Sequence, residues 1–301
     1  MLLQRAKTAW SDWRERNTRQ PHGWRRRQRR PGGVSLPNDT LKLLSFNVQA
    51  GIGTQRFHDY ITGSWKHLLA HPRSVQNIED IAGVVSDYDV VMLQEVDGGS
   101  LRSKNLNQVV HLATLGDFPF WHQQLNRNLG RFGQFSNGLL SRLTPYHVED
   151  HRLPGLPGRG AVLVKFGHPD DPLVLVGVHL ALSERARNQQ LDYLCGHLKN
   201  DRHVVMMGDF NCLPEDLARS PVRDLGLTPS GADLFSYPSW RPDRPIDHIL
   251  VSDSLSVTRA SVLSECRLSD HLPVATEVRL PGSVVEAAEH AQLALEGRKL
   301  L

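Results

Sequence analysis

The sequence predicts an α+β protein in which β-sheets pack face to face and helices lie outside them. Helical and strand patterns alternate irregularly along the chain, and several predicted strands follow one another with no helix between them. That order favours packed sheets over a doubly wound parallel sheet. The 301 residues are 40% hydrophobic and 22% charged, which suits an ordinary globular protein with a sizeable core.

The individual elements follow from the period of the apolar residues. Strands are predicted from short alternating or β-branched apolar runs, and helices from apolar residues at helical spacing. The predicted strands span residues 41–48, 90–96, 137–141, 161–166, 173–180, 203–207, 246–252, 257–262 and 274–280. The predicted helices span residues 74–86, 183–199, with Ser183 as N-cap, and 284–295. Residues 118–131 are expected to be loop with a short helix, and residues 214–227 loop with short helical turns.

Charge and composition divide the chain into three parts. We expect a basic tail over residues 1–39, one domain over residues 40–281 and a helical extension over residues 282–301, after Pro281-Gly282. Residues 1–33 hold ten Lys and Arg but two acids, a net charge of +8. Because the whole chain carries +3, the remaining residues carry −5.

The tail combines tryptophan with clustered arginine. Trp10 and Trp13 fit a short amphipathic helix, and the arginine-rich run of residues 25–30 follows it. This composition suits an anionic membrane surface or nucleic acid. The alternative is a disordered, solvated leader.

The sequence also indicates the cellular compartment in which the protein is expected. No apolar run approaches the roughly 18 residues that a membrane span needs, and the N-terminus lacks the apolar core of a secretory signal. Three scattered cysteines, Cys195, Cys212 and Cys266, form neither a metal-spaced pair nor a disulfide framework. We expect a cytoplasmic monomer, with peripheral attachment to the membrane as a second option.

The stretch Gly208-Asp209-Phe210-Asn211 ends the predicted central strand. A bend at Gly208 can turn the Asp209 carboxylate and the Asn211 amide into one cleft, where the two groups could hold a water molecule. That arrangement indicates hydrolysis. By itself, however, Gly-Asp-x-Asn more often closes a turn.

Polar residues recur at other strand ends, which is how a rigid scaffold lines a cleft. The residues concerned are Asn47, Glu95, His179, Asp247, Asp270 and His271. The set suits the hydrolysis of a phosphoester, because a divalent cation must balance the growing negative charge.

The residue types suggest separate roles. Oxygen donors from Glu95, Asp270 and Asn47 suit Mg²⁺ or Mn²⁺ rather than zinc. His271 and Asp247 form a candidate pair in which the carboxylate fixes the tautomer of the histidine. Each residue alone also has an ordinary structural interpretation, as a turn or half-buried residue.

Three further residues near this set have weaker interpretations. His248 follows Asp247 on a strand and should therefore point to the other face, as a packing residue. Arg241 and Arg244 precede that strand and are candidates either for phosphate contact or for a plain loop role.

The ordered motifs resemble the endonuclease/exonuclease/phosphatase superfamily, which includes deoxyribonuclease I, exonuclease III, neutral sphingomyelinases and inositol polyphosphate 5-phosphatases. They run from about residue 41 to residue 280 and are Ser45-Phe46-Asn47, Leu93-Gln94-Glu95, Val178-His179-Leu180, Gly208-Asp209-Phe210-Asn211, Ile246-Asp247-His248-Ile249-Leu250 and Ser269-Asp270-His271-Leu272-Pro273-Val274. Asn137-Gly138-Leu139-Leu140-Ser141-Arg142 is similar to a further strand of that superfamily.

The resemblance implies a four-layer α/β sandwich, the deoxyribonuclease I-like fold, and a phosphoesterase that depends on a divalent metal. It implies that Glu95 ligates the metal beside Asn47 and Asp270. It further implies that Asp209 orients or deprotonates the attacking water and that Asn211 contacts the phosphate. His271 is the site histidine that Asp247 orients, and His179 assists the leaving oxygen. The resemblance leaves open whether Asp209 or His271 is the base.

Differences between this sequence and known branches of the superfamily narrow the range of expected substrates. Val96-Asp97 follows Glu95, where exonuclease III-like repair enzymes carry Thr-Lys, and the 5-phosphatase signature is replaced by Arg244-Pro245-Ile246-Asp247. The net-negative body also lacks the basic face common in nucleases of duplex DNA. We therefore expect a sphingomyelinase-like bacterial phosphoesterase, with a lipid headgroup or small phosphodiester ahead of nucleic acid. A non-catalytic membrane- or nucleic-acid-binding module is the second alternative.

Overall fold

The computed structural model describes residues 39–49, 74–103, 105–130, 133–155, 157–282 and 284–286. The basic tail, the segment 50–73 and nearly all of the helix expected over residues 284–295 lie outside the described residues. Among those described, no helix is long and apolar enough to cross a membrane.

Two six-stranded mixed sheets form the centre of the protein, which confirms the predicted fold class. The first sheet has the order β11-β12-β1-β2-β4-β3. Its strands are β1 (Thr40–Asn47), β2 (Val90–Asp97), β3 (Phe120–Asn128), β4 (Gln134–Ser141), β11 (Ser256–Val262) and β12 (Val274–Arg279). The second sheet has the order β5-β6-β7-β8-β10-β9. Its strands are β5 (His147–Arg152), β6 (Gly160–Phe166), β7 (Leu173–His179), β8 (His203–Asp209), β9 (Thr228–Pro229) and β10 (Asp247–Val251).

The sheets bury one shared core between them, and each buries a second core under its helices. The shared core contains Leu43, Met92, Leu175, Met207 and Ile249, among other residues. Helices α1 (Ser74–Val85) and α2 (Gln108–Leu115) cover the first sheet, whereas α3 (Glu184–Leu198) covers the second. A short helix, α4 (Pro214–Leu217), and two 3₁₀ turns, Leu101–Ser103 and Pro221–Leu225, complete the described elements. The result is four layers, because each sheet is apolar on both faces.

One glycine fixes how closely the two sheets approach. A β-carbon at Gly177 of β7 would collide with the side chain of Met92, which crosses from β2. The absence of a side chain at position 177 therefore makes room for a large apolar residue from the facing sheet.

The prediction for residues 118–131 is wrong. Residues Phe120–Asn128 form β3, which pairs with β4 from Phe120 opposite Ser141 to Asn128 opposite Gln134. The strand is rich in glutamine because its side chains serve the other sheet: Gln124 Nε2 donates to the carbonyls of His151 (3.0 Å) and Ala161 (2.9 Å). Because these inward-facing side chains are polar, the strand lacks the alternation of apolar and polar residues from which strands are predicted.

Several other elements differ in detail from the sequence analysis. Helix α2 and strand β5 were not predicted, and they are short or largely exposed on one face. Ser183 occupies the N-cap position of α3, as predicted, but its side chain makes no capping hydrogen bond.

Candidate active site

Strand pairing brings the polar strand ends to one edge of the sandwich. In the first sheet, Asn47 of β1 lies opposite Gln94 of the parallel strand β2, beside Glu95. In the second sheet, Asp209 of β8 lies opposite both His179 of β7 and Asp247 of β10. Both sheets therefore contribute side chains to the same cleft.

Glu95 reaches this cleft through an irregularity in β2. The register between β2 and β4 shifts between Leu93 and Val96, and Glu95 has a positive φ of 57°. L-residues adopt that conformation rarely, and a β-bulge is the usual way to redirect one side chain out of a strand. The bulge turns the carboxylate of Glu95 toward the second sheet.

Four of the predicted site residues contact one another there. Asn47 Nδ2 donates to Glu95 Oε1 (3.4 Å) and to Asp209 Oδ2 (3.2 Å). His179 Nε2 lies 3.4 Å from Asp209 Oδ2 and 3.9 Å from Glu95 Oε1. The structure thus joins an amide, two carboxylates and an imidazole from four different strands.

Asp209 is held from its own strand end as well. Its Oδ1 accepts the backbone N–H of Asn211 (3.0 Å), and Asn211 has a positive φ of 52°. The side-chain nitrogen of Asn211 donates to the carbonyl of Leu180 (3.0 Å). A β-carbon at Gly208, where φ is 152°, would press on the carbonyl oxygen of Val178, so only glycine fits this bend. The bend predicted at Gly208 therefore orients Asp209 directly and Asn211 through its backbone.

His271 and Asp247 form the predicted pair. His271 Nδ1 lies 2.7 Å from Asp247 Oδ2, and the same oxygen accepts from Ser236 Oγ at 2.5 Å. Although burial alone lowers the pKa of His271, the Asp247 carboxylate and then the Asp209 and Asp270 charges raise it to about 10. Asp247 thus fixes both the orientation and the charge of His271.

The carboxylates crowd one another in this cleft. Burial, followed by the Asp247 charge, raises the pKa of Asp209 to about 7, while the His271 charge opposes that change. Burial also raises the pKa of Asp270, whose Oδ1 accepts from Ser269 Oγ (3.2 Å). One ligand atom from each of Asp209, Asp247 and His271 lies within 4.8 Å of the others. This part of the cleft therefore carries more buried negative charge than its own cations balance.

The weaker predictions near the site have different outcomes. His248 lies on the other face of β10, as predicted, where its Nε2 is 2.8 Å from the Cys212 carbonyl oxygen and its ring packs edge-on against Phe210. Arg244 lies over the Tyr237 ring at 5.9 Å, and both Arg241 and Arg244 are exposed. A phosphate contact of these two arginines stays a prediction.

Two residues that contact the candidate site residues were not predicted from the sequence. Ser236 supports Asp247, and Arg159 Nη1 contacts His179 Nε2 directly from the turn before β6. Burial, followed by the Arg159 and His271 charges, holds the pKa of His179 well below its usual value, so the ring is neutral. Arginine between two glycines, in Gly158-Arg159-Gly160, is the only signal that the sequence offers for Arg159.

Comparison with known proteins identifies the family to which this two-sheet sandwich, with its acidic cleft at the strand ends, belongs. The sequence profile of the Endonuclease/Exonuclease/phosphatase family matches residues 44–271, more than half of the chain. The chain therefore belongs to that family, whose members hydrolyse phosphoester bonds. No curated protein sequence matches the chain.

Solved structures share the fold at low sequence identity. An endonuclease/exonuclease/phosphatase from Beutenbergia cavernae is 20% identical, with a TM-score of 0.62 over 81% of this chain and 72% of that one. The mannosyl-6-phosphatase of Bacteroides thetaiotaomicron is 19% identical, with a TM-score of 0.57 over 79% and 99%. Humanized TDP2 of D. rerio is 15% identical, with a TM-score of 0.56 over 80% and 99%.

The family is generally dependent on a divalent metal, and the residues present fit one. Glu95 and Asp270 supply the hard oxygen donors that Mg²⁺ and Mn²⁺ prefer. Asn47 turns its Nδ2 toward Glu95 and Asp209, and its Oδ1 accepts from the backbone N–H of Gln49 (3.1 Å), so its amide would have to rotate to join them. Asp247 Oδ1 is buried and has no hydrogen-bond partner among the described residues. Together with the raised pKa values of Asp209 and Asp270, this leaves a cluster that a bound cation would neutralise.

Proposed function

We propose that the protein is a phosphoesterase that depends on Mg²⁺ or Mn²⁺ and uses an activated water molecule. The observation that carries the proposal is the convergence of Asn47, Glu95, His179 and Asp209 at one point, beside the Asp247–His271 pair. A non-catalytic binding module has no need for so many buried, mutually oriented titratable groups, because their burial costs stability.

Each residue has a role in this proposal. Glu95, Asn47 and Asp270 would hold the cation, which balances the negative charge that grows on the phosphoryl oxygens. Asp209 aligns the attacking water, and Asn211 contacts the phosphate through the second N–H of its side-chain amide, since the first donates to the Leu180 carbonyl.

His271 and His179 act on the substrate oxygens. Because Asp247 occupies Nδ1 of His271, its Nε2 is the nitrogen that faces the substrate. His179 contacts the leaving oxygen as a neutral ring, and the proton that this oxygen takes up comes from the protonated His271 or from solvent. Of the two candidates for the base that takes the proton of the water, Asp209, with a pKa of about 7, fits better than His271, whose pKa of about 10 keeps its ring protonated at neutral pH.

For the substrate, we propose a lipid headgroup or a small phosphodiester or phosphomonoester. The net charge of −5 outside residues 1–33 disfavours a long polyanion. The fold neighbour named as a mannosyl-6-phosphatase supports a small phosphorylated substrate. The second candidate is a Mg²⁺-dependent nuclease, which the arginine-rich tail would assist by binding the nucleic-acid backbone.

Hydrolysis assays separate these candidates. Bis(p-nitrophenyl) phosphate, sphingomyelin, inositol phosphates and supercoiled plasmid would be incubated with the protein in Mg²⁺, Mn²⁺ or EDTA. We expect turnover that EDTA abolishes and that Asp209→Ala lowers by at least about 100-fold. The exposed Asp253→Ala is the matched control. Metal-dependent nicking of plasmid without cleavage of small esters would favour the nuclease, and no turnover of any substrate would favour the binding module.

The basic tail is proposed to hold a cytoplasmic monomer at an anionic membrane surface. Its net charge of +8 and its three tryptophans suit that surface. Deletion of residues 1–33 should weaken sedimentation with phosphatidylserine vesicles, and high salt should have the same effect. Equal sedimentation of the full-length and shortened proteins would rule out this role.

A further inference from the structure

A second cleft, of about 230 Å³, lies next to the acidic cleft of the candidate active site and is lined by both sheets. Glu95 and His179 form the side that faces the active site, and Arg127, Phe135, Gly158 and Arg159 are among the other lining residues. We propose that this cleft binds a second anionic group of the substrate, a phosphate or a carboxylate, and that Arg127 selects for it. The inference rests on the proposed phosphoesterase function, because it describes which phosphoester enters the active site.

Arg127 is placed for contact with a ligand rather than with the protein. It lies near the end of β3 and is exposed, and its side chain has no ion pair or hydrogen bond within the part of the chain that the structure describes. Its side-chain stem passes over Gly158: a β-carbon there would lie 3.6 Å from Arg127 Cδ and 3.7 Å from Arg127 Cβ. Since φ of Gly158 is 104°, glycine is favoured at this position, and the stem rests against bare backbone.

The charge balance of the cleft favours an anion. Its lining holds two guanidinium groups, Arg127 and Arg159, against the single carboxylate of Glu95. Arg159 is partly committed, because it contacts His179 and its charge interacts with those of Asp209 and Glu95. A cation held by Glu95 would make the cleft still more positive. Guanidinium groups bind phosphate and carboxylate in a forked, two-point geometry, which suits selection for such a group.

The size of the cleft restricts what carries the second anionic group. About 230 Å³ is below the roughly 300–1,000 Å³ of pockets that enclose drug-sized ligands. Phe135 is also among the lining residues and adds apolar surface to the cleft. As lined by the described residues, the cleft therefore fits a small phosphoester with one further charged group.

Three ligands that differ at one carbon test this proposal. Glucose 1-phosphate, glucuronate 1-phosphate and glucose 1,6-bisphosphate carry a hydroxyl, a carboxylate and a phosphate at carbon 6. Their dissociation constants would be measured by isothermal titration calorimetry with the full-length protein, in Ca²⁺ instead of Mg²⁺ to suppress turnover. We expect the bisphosphate to bind at least about tenfold more tightly than glucose 1-phosphate. If glucuronate 1-phosphate also binds about tenfold more tightly than glucose 1-phosphate, the cleft accepts any anionic group. If only the bisphosphate binds more tightly, the cleft is selective for phosphate.

Variants assign the effect to Arg127. Arg127→Gln should reduce the tenfold preference to about twofold or less, Arg127→Lys should retain an intermediate preference, and the exposed Arg223→Gln should keep it unchanged. Circular dichroism confirms that each variant is folded. Equal binding of the three ligands, no binding of any, or an unchanged preference in Arg127→Gln would overturn the proposal. Because calorimetry measures binding without turnover, it tests the anion-binding proposal independently of the hydrolysis assays, which test the phosphoesterase function.

Discussion

The contact between Asp247 and His271 leads to the most discriminating prediction. Asp247 is 1% exposed, and its Oδ2 is 2.7 Å from His271 Nδ1 and 2.5 Å from Ser236 Oγ. In Asp247→Asn the side chain keeps its shape but loses its charge, and its amide can present hydrogen atoms where the carboxylate accepted them. His271 then loses both its anionic partner and its fixed tautomer.

The expected magnitude follows from the pKa of His271. Burial lowers this pKa, but the Asp247 charge and hydrogen bond raise it from 6.5 to about 10. A histidine whose folded pKa is raised adds stability below about pH 6.5, and this contribution disappears as the pH rises through about 10. Removing one partner of a buried ion pair costs about 3–5 kcal/mol. We therefore expect Asp247→Asn to lose about that much free energy of unfolding at pH 6, and distinctly less at pH 10.5.

Two measurements check this prediction. Urea unfolding in EDTA at pH 6 and pH 10.5 gives the free energies, and hydrolysis of bis(p-nitrophenyl) phosphate in Mg²⁺ gives kcat. We expect kcat to fall by about 100- to 10,000-fold, the range for residues that act in proton transfer. The exposed Asp253→Asn is the control for loss of one negative charge. A variant with kcat within about threefold of wild type and the same loss of stability at both pH values would refute the reasoning.

Three further predictions concern the metal, the acidic cluster and the bend at Gly208. Glu95→Gln should abolish both the activity and the rise in melting temperature that Mg²⁺ produces; a full rise in the variant would place the cation elsewhere. Because burial raises the pKa of Asp209 from 3.8 to about 7, the metal-free protein should lose stability as the pH rises from about 4 to 7, and Mg²⁺ should raise the melting temperature more at pH 8 than at pH 5.5. Gly208→Ala should lose about 2–4 kcal/mol in urea unfolding, because the new methyl group meets the Val178 carbonyl. Gly196→Ala, in α3 with open space around it, should gain about 0.5–1 kcal/mol, and equal effects of the two changes would contradict this account.

The buried strands were predictable because their local pattern and their final environment agree. Strands β7 and β8 are buried on both faces, and their runs of valine, leucine and methionine indicate this directly. The positions of the candidate site residues at the ends of these strands were predictable for a related reason. His179 and Asp209 each interrupt an apolar run at the point where a buried strand must end.

The missed features depend on partners that are far away in the chain. Gln124 is a strand residue because it satisfies two carbonyls of the other sheet, and no local pattern records that task. Ser236 contacts Asp247 across an irregular loop, and Arg159 meets His179 only after β6 and β7 have paired. Such contacts are products of tertiary packing, so they become visible only in the folded protein.

The division of the candidate active site between the sheets would make the proposed catalysis a measure of how the two halves dock. Asn47 and Glu95 come from one sheet, whereas His179, Asp209 and Asp247 come from the other. Neither sheet alone can assemble the carboxylate cluster, however well its own hydrogen bonds are formed. A partly folded chain with one intact sheet should therefore be inactive, and activity should return during refolding only when Met92 settles over Gly177.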